Sequence, residues 1–218
     1  RRQRQMCIRD REQNVKEQEQ KRKIELKALQ SQINPHFLYN TLDSIIWMAE
    51  GKKNEEVVIM TASLARLLRQ SISNEDELVT IGQEIEYVRS YLTIQKMRYK
   101  NKFSATIEAR DGVEKLYTIK LIVQPILENA IYHGMAYADG DGEITVRAFR
   151  DGGDVLIEVS DNGPGMPEEV VESLLNPNGP AAAAGAKGSG IGFRNVHRRI
   201  RLTFGACLLY TSDAADDR

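Results

Sequence analysis

Four short segments in a fixed order constrain this chain more than its composition does. Asn34-Pro35-His36-Phe37-Leu38-Tyr39-Asn40 lies in an amphipathic helical pattern. After it come Glu128-Asn129-Ala130-Ile131-Tyr132-His133-Gly134, then Asp161-Asn162-Gly163-Pro164-Gly165-Met166, then Gly188-Ser189-Gly190-Ile191-Gly192. One candidate nucleophile therefore precedes three candidate nucleotide-binding segments.

The patterning around these segments predicts an α+β chain. Leu26, Leu29 and Ile33 keep a 3-4 spacing that fits a helix entering a coiled coil or bundle. The stripe continues past Pro35, expected to kink the helix before His36, through Leu38, Leu42, Ile45 and Ala49. Gly51 to Asn54 reads as a turn, with Asn54 as N-cap and Glu55 and Glu56 in the first turn of the next helix. That helix shows Val57, Met60, Leu64, Leu67, Leu68 and Ile72 on one face. An antiparallel hairpin of this kind is expected to bury its stripes against a second copy, as a four-helix bundle. Thr80 and Gln83 have capping-box spacing for a third helix that runs to about Tyr99.

Beyond that helix the period changes from helical to alternating. Ser104–Arg110, Glu143–Arg150 and Val155–Ser160 read as strands, the last two joined by Asp151-Gly152-Gly153-Asp154. Residues 121–134 form a helix whose first turn accommodates Pro125. A mixed sheet with helices on one face follows. A short helix (Glu168–Leu175), a lid-like run (Asn176–Lys187) and a final helix (Ile191 to Leu202) complete the pattern. The expected units are an atypical extension (1–11), a helical hairpin (12–75), a linking helix (76–101), an α/β sandwich (102–205) and an atypical tail (206–218). The sandwich's last strands are expected to be missing.

Composition excludes some partners. A net charge of −1 over 218 residues gives no signal for nucleic acid, although residues 1–30 carry ten basic against five acidic side chains. Cys7 and Cys207 form neither a CxxC motif nor a disulfide framework, which suits a reducing compartment. No apolar run approaches the ~20 residues of a membrane-spanning helix. With no signal peptide and Arg1 at its start, the sequence is expected to be a piece of something longer.

Each segment has its own chemistry. Gly188, Gly190 and Gly192 enter a helix, so backbone N–H groups can approach an anion there. A plain loop is the alternative, and no Walker A pattern occurs. Asp161 ends a strand, and the following Gly163 and Gly165 permit a tight loop against a flat ring, whose amine Asp161 could accept; a turn with a solvated Asp is the alternative. Asn129 offers an amide oxygen that suits Mg²⁺, although a single helical Asn is more often merely exposed. A neutral imidazole carries a lone pair without an activating base, which makes His36 a candidate nucleophile; a structural helix histidine is the rival reading. Asn40 lies one turn on, on the same face.

The order of the three later segments resembles the N, G1 and G2 boxes of the GHKL ATPase superfamily, which includes gyrase B, MutL and histidine kinases. With His36 and the stretches Ile81–Arg98 and Gly190–Gly205, the chain resembles the LytS/YesM-type sensor histidine kinases over about residues 24–205. The resemblance implies ATP and Mg²⁺ as cofactors, Asn129 as the Mg²⁺ ligand and Asp161 as the adenine reader. It implies that Gly163, Gly165 and Met166 shape the adenine pocket, and that Gly188, Gly190, Ile191 and Gly192 cradle phosphates. Glu128 and His133 fall within the same nucleotide site. His36 is implied as phosphoacceptor, with Asn40 as a candidate helper in phosphatase chemistry. A homodimer and a response regulator are implied as partners, with membrane attachment through sensor segments outside this sequence and a cytoplasmic location for this portion.

Departures keep rivals open. Pro125 stands where the gyrase and MutL branch has a water-activating Glu, which disfavours hydrolysis for its own sake. Tyr132 replaces a usual Lys, which favours a degenerate kinase acting as a dimeric binding module. A GHKL ATPase is the third reading.

Overall fold

The computed structural model of the chain describes residues 35–72, 78–134, 141–165 and 189–204. The expected stripe at Leu26, Leu29 and Ile33, the short helix Glu168–Leu175, the Asn176–Lys187 lid and the 206–218 tail lie outside the described residues. So do Met166 and Gly188, and the side chains of His133 and Ile191.

Helix α1 spans Pro35–Glu50 and α2 spans Asn54–Ile72. Pro35 is the first described residue of α1, and Glu55 and Glu56 lie in the first turn of α2. Strand β1 (Leu78–Thr80) runs into α3 (Ile81–Arg98). The capping box at this junction is formed in full. Thr80 Oγ1 accepts from the Gln83 N–H at 3.2 Å, and Gln83 Oε1 accepts from the Thr80 N–H at 2.9 Å.

Two sheets follow. Strand β2 (Phe103–Ala109) pairs in parallel with β4 (Gly142–Asp151), which pairs antiparallel with β5 (Asp154–Asp161). This three-stranded sheet is mixed, as expected. Gly152, at φ 58°, supplies the left-handed residue that the two-residue turn requires. Strand β3 (Tyr117–Ile119) pairs with β1 in a separate ribbon that the pattern did not reveal. Helix α4 is Gln124–Asn129, continued by a π-turn over Ala130–Gly134, and α5 is Ser189–Phe204.

The core is continuous from the hairpin helices to the sheet. Phe37 and Met48 of α1 and Met60, Leu64 and Leu67 of α2 join Val88, Tyr91 and Leu92 of α3, Leu127 of α4, and Ile144 and Val146 of β4. Met60, Leu64 and Leu67 of the α2 stripe pack against α3 within the chain. In α1 the buried face passes through Phe37, Thr41 and Met48, one residue away from the expected stripe. Leu38 and Ile45 only flank it, and Leu42 is exposed. The shift follows from the packing of the Phe37 ring on Tyr91, at 5.2 Å between centroids.

Candidate functional site

His36 is exposed near the start of α1. The Asn40 amide nitrogen lies 3.2 Å from its Nδ1 and 3.1 Å from its Nε2. One helical turn thus brings the amide against the imidazole, as the i, i+4 spacing predicted. On the inner side, Phe37 stacks on Tyr91 and carries the Arg98 guanidinium 5.9 Å above its ring. Arg98 Nη1 donates to Gln95 Oε1 at 3.0 Å, and Gln95 Nε2 donates to the Tyr91 hydroxyl at 2.6 Å. These contacts close a circuit that fixes the rotation of α1, and with it the direction in which His36 points.

Helix α3 also holds the entry to the Glu128–Gly134 segment. Glu84, 2% exposed, accepts the backbone N–H groups of Leu121 (2.9 Å), Ile122 (2.8 Å) and Val123 (3.0 Å). From the other side Arg199 of α5 donates to the carbonyls of Lys120 and Leu121. Burial pushes the Glu84 carboxyl up, while the three N–H donors and the Arg199 charge pull it back. Leu121 sits at φ 58°, a conformation that costs a non-glycine residue about 1–3 kcal/mol unless its surroundings impose it. Sequence reading missed both side chains. The available signal was Glu84 itself, an acid on the apolar Ile81–Ile85–Val88 face of an amphipathic helix.

The clamped turn leads directly into α4. Pro125 occupies its first turn, and Asn129 ends it, half-buried, where the helix widens into the π-turn. Such π-bulges turn side chains out of helical register, a geometry frequent at functional sites. Glu128 faces inward. The Tyr87 hydroxyl donates to Gln124 Oε1 at 2.6 Å, and Gln124 Nε2 donates to Glu128 Oε1 at 2.7 Å. Burial raises the Glu128 carboxyl, and the Gln124 bond lowers it in part. Tyr132 is 64% exposed.

The π-turn packs against β4 and β5, and α4 packs against α5, so three of the four sequence segments converge. Asp161 ends β5, and its Oδ1 accepts the Gly163 N–H at 2.9 Å. Gly165, at φ 74°, needs the freedom of glycine. Asn162, which sequence reading passed over, pins this loop to the start of β4. Its Nδ2 donates to the Asp141 carbonyl and its Oδ1 accepts from the Glu143 N–H, both at 2.8 Å. A Cβ on Gly192 would lie 3.3 Å from Pro125 Cβ, so this glycine lets α5 approach α4. Gly190 lies two residues earlier, in the first turn of α5. His36 stands apart on α1, joined to this region through the core that Phe37 shares with Leu127 and Ile131.

Among the described residues no cluster of three His, Cys, Asp or Glu side chains could hold a metal.

A helix bearing an exposed histidine thus precedes a mixed sheet whose helices gather three glycine- and amide-bearing segments. The histidine kinase family model matches residues 24–103, and the model for the histidine kinase-, DNA gyrase B- and HSP90-like ATPases matches residues 115–216. The second match extends into the segment set apart as a tail. The chain is 41% identical over 194 residues to the sensor histidine kinase YesM of Bacillus subtilis, covering 89% of this chain and 32% of that protein. It is 34% identical over 185 residues to the sensor histidine kinase YpdA of Escherichia coli, covering 84% and 31%. It is 30% identical over 193 residues to the sensor protein LytS of Streptococcus agalactiae, covering 87% and 32%. The chain belongs to the sensor histidine kinase family, in its LytS/YesM branch. It spans about a third of the length of these relatives.

Proposed function

We propose that this chain is the catalytic part of a two-component sensor kinase, which phosphorylates His36 from ATP with Mg²⁺ and passes the phosphoryl group to an Asp of a response regulator. The observation that carries this reading is the exposed imidazole of His36, addressed by the Asn40 amide, on a helix that shares one core with the Asn129 helix. Residues 12–75 would be the dimerisation and phosphoacceptor hairpin, 76–101 the linking helix and 102–205 the ATP-binding unit.

In this reading Asp161 reads the adenine amine with the carboxylate oxygen not engaged by Gly163. Gly163, Gly165 and Met166 shape the ring pocket. Gly188, Gly190, Ile191 and Gly192 would cradle the phosphates, and His133 would belong to the same nucleotide site. Asn129 would hold Mg²⁺, which supplies charge neutralisation on the phosphates when bound. A His36 ring nitrogen forms its bond to the γ-phosphorus as the bridging P–O bond breaks. ADP leaves with that electron pair. Catalysis is then largely positioning, and Glu128 beside Asn129 contributes to it. Asn40 is placed to orient a water molecule or to hold the ring.

A second copy is supported by the apolar residues that the fold leaves outside. Tyr39, Leu42 and Ile46 form one exposed row on α1, and Val58 and Ile59 lie exposed on α2. Such a row fits self-association into a bundle. No helix among the described residues is long and apolar enough to cross a membrane. Attachment through sensor segments beyond this sequence, with this portion cytoplasmic, completes the proposal.

Incubation with γ-labelled ATP tests it. Acid-labile, base-stable label that is lost in His36→Gln supports the kinase. Release of phosphate alone would favour an ATPase, and neither product would favour a binding module, the reading that exposed Tyr132 supports.

A further inference from the structure

Helix α3 carries a second tyrosine whose placement the proposed chemistry does not use. Tyr87 is 5% exposed, one turn before Tyr91, and its hydroxyl does not reach solvent chemistry or the acceptor helix. It donates at 2.6 Å to Gln124, the first residue of α4, which donates at 2.7 Å to the Glu128 carboxylate. Ser71, near the end of α2, donates its hydroxyl to the Leu67 carbonyl at 2.8 Å, and the Ser71 carbonyl accepts from Lys120 Nζ at 3.2 Å. One buried hydroxyl therefore joins the linking helix to the helix that ends in Asn129.

The geometry points to Tyr87 as a positioning residue of phosphoryl transfer, acting through Gln124 to fix the Glu128 carboxylate beside Asn129. A buried donor–acceptor chain of this kind has a direction. Gln124 spends its carbonyl oxygen on Tyr87, so its amide nitrogen is the end that faces Glu128. Without the hydroxyl the amide can rotate, and Glu128 loses its orienting donor. The alternative, that Tyr87 only fills space, is covered by its ring, which phenylalanine would retain. The inference rests on the kinase reading above and names how that site is held in register.

Tyr87→Phe removes only the hydroxyl. At saturating ATP and Mg²⁺ the initial rate of His36 labelling is expected to fall about tenfold, as when a partner supporting a metal-site residue is removed. KM for ATP and the nucleotide dissociation constant should stay near wild type. In a Glu128→Ala background the same change should cost no further rate, because its target is gone. Gln124→Leu breaks the chain from the other side and should reproduce the kcat loss, which keeps the test open if Tyr87→Phe fails to fold. Wild-type rates in both variants overturn the positioning role, and so does an equal loss in both Glu128 backgrounds. Label absent from the wild-type chain overturns the kinase reading as well, which distinguishes the two failures.

Discussion

Glu84 and Arg199 grip the same turn from opposite sides. The carboxylate takes the N–H groups of residues 121–123, and the guanidinium takes the carbonyls of Lys120 and Leu121. Backbone groups buried without partners are costly, so a turn enclosed between α3 and α5 needs such surrogates. The grip also makes the α4 entry angle, and hence the position of Asn129, depend on one acid and one base from distant helices.

Glu84→Ala should destabilise the fold by about 3–5 kcal/mol, the range for removing one member of a buried charged network. Urea unfolding measures this. A loss below about 1 kcal/mol would mean that water or a shifted side chain replaces the carboxylate. Glu84→Gln should be milder, since one carbonyl oxygen remains to accept.

Gly192 faces Pro125 too closely for a branched side chain. Gly192→Val should cost about 1–3 kcal/mol by overpacking, and should weaken ATP binding as α5 is pushed from α4. Gly192→Ala should be near neutral, because the tight contact is offset by up to ~1 kcal/mol of helix propensity. Thermal melts of the two variants side by side check the contrast. Equal melting temperatures would show that α5 does not keep this approach in solution.

Burial raises the Glu128 carboxyl above its ordinary value of 4.5. The folded state therefore binds more protons than the unfolded chain just above that pH, and Glu128's share of stability falls as pH rises through its raised value. Replacing it with Gln should flatten this share. The measurement is the difference between wild-type and Glu128→Gln unfolding free energies across pH 4 to 8, since Glu84 is shifted the same way in both. The variant should gain on wild type as pH rises; a constant difference would place Glu128 in contact with water.

Asp161→Asn should lower ATP affinity about tenfold while affecting GTP little, the size of one hydrogen bond to a charged group. Asparagine keeps an oxygen for the Gly163 N–H, so the loop should retain its shape. Competition binding with the two nucleotides decides it; equal losses would remove the adenine-reading role.

What the sequence made legible was whatever has a period or a local cap. The α3 start followed from Thr80 and Gln83, the β4–β5 hairpin from alternation around two glycines, and the His36–Asn40 pairing from helical spacing. The β1–β3 ribbon was not legible, because three-residue strands carry no periodic signal and their partners lie far apart in sequence. The α1 stripe was read one residue off, because Leu at 38 and 42 scores as core by residue type while the Phe37–Tyr91 stacking decides which face is turned inward. The clamp by Glu84 and Arg199 depends on long-range contact, so only the misplaced charge of Glu84 hinted at it.

The parallel pairing of β2 with β4 has a consequence for the order in which this molecule can assemble. Strands β4 and β5 are joined by two residues and can zip together locally, whereas β2 must wait for everything from Arg110 to Asp141 to be looped out and folded back. The strained turn at Leu121, the Asn129 helix and the π-turn all lie inside that crossover. Loop-closure entropy is therefore spent on the part of the chain proposed to handle nucleotide, so the non-local pairing of β2 with β4 is also the step that would complete that site.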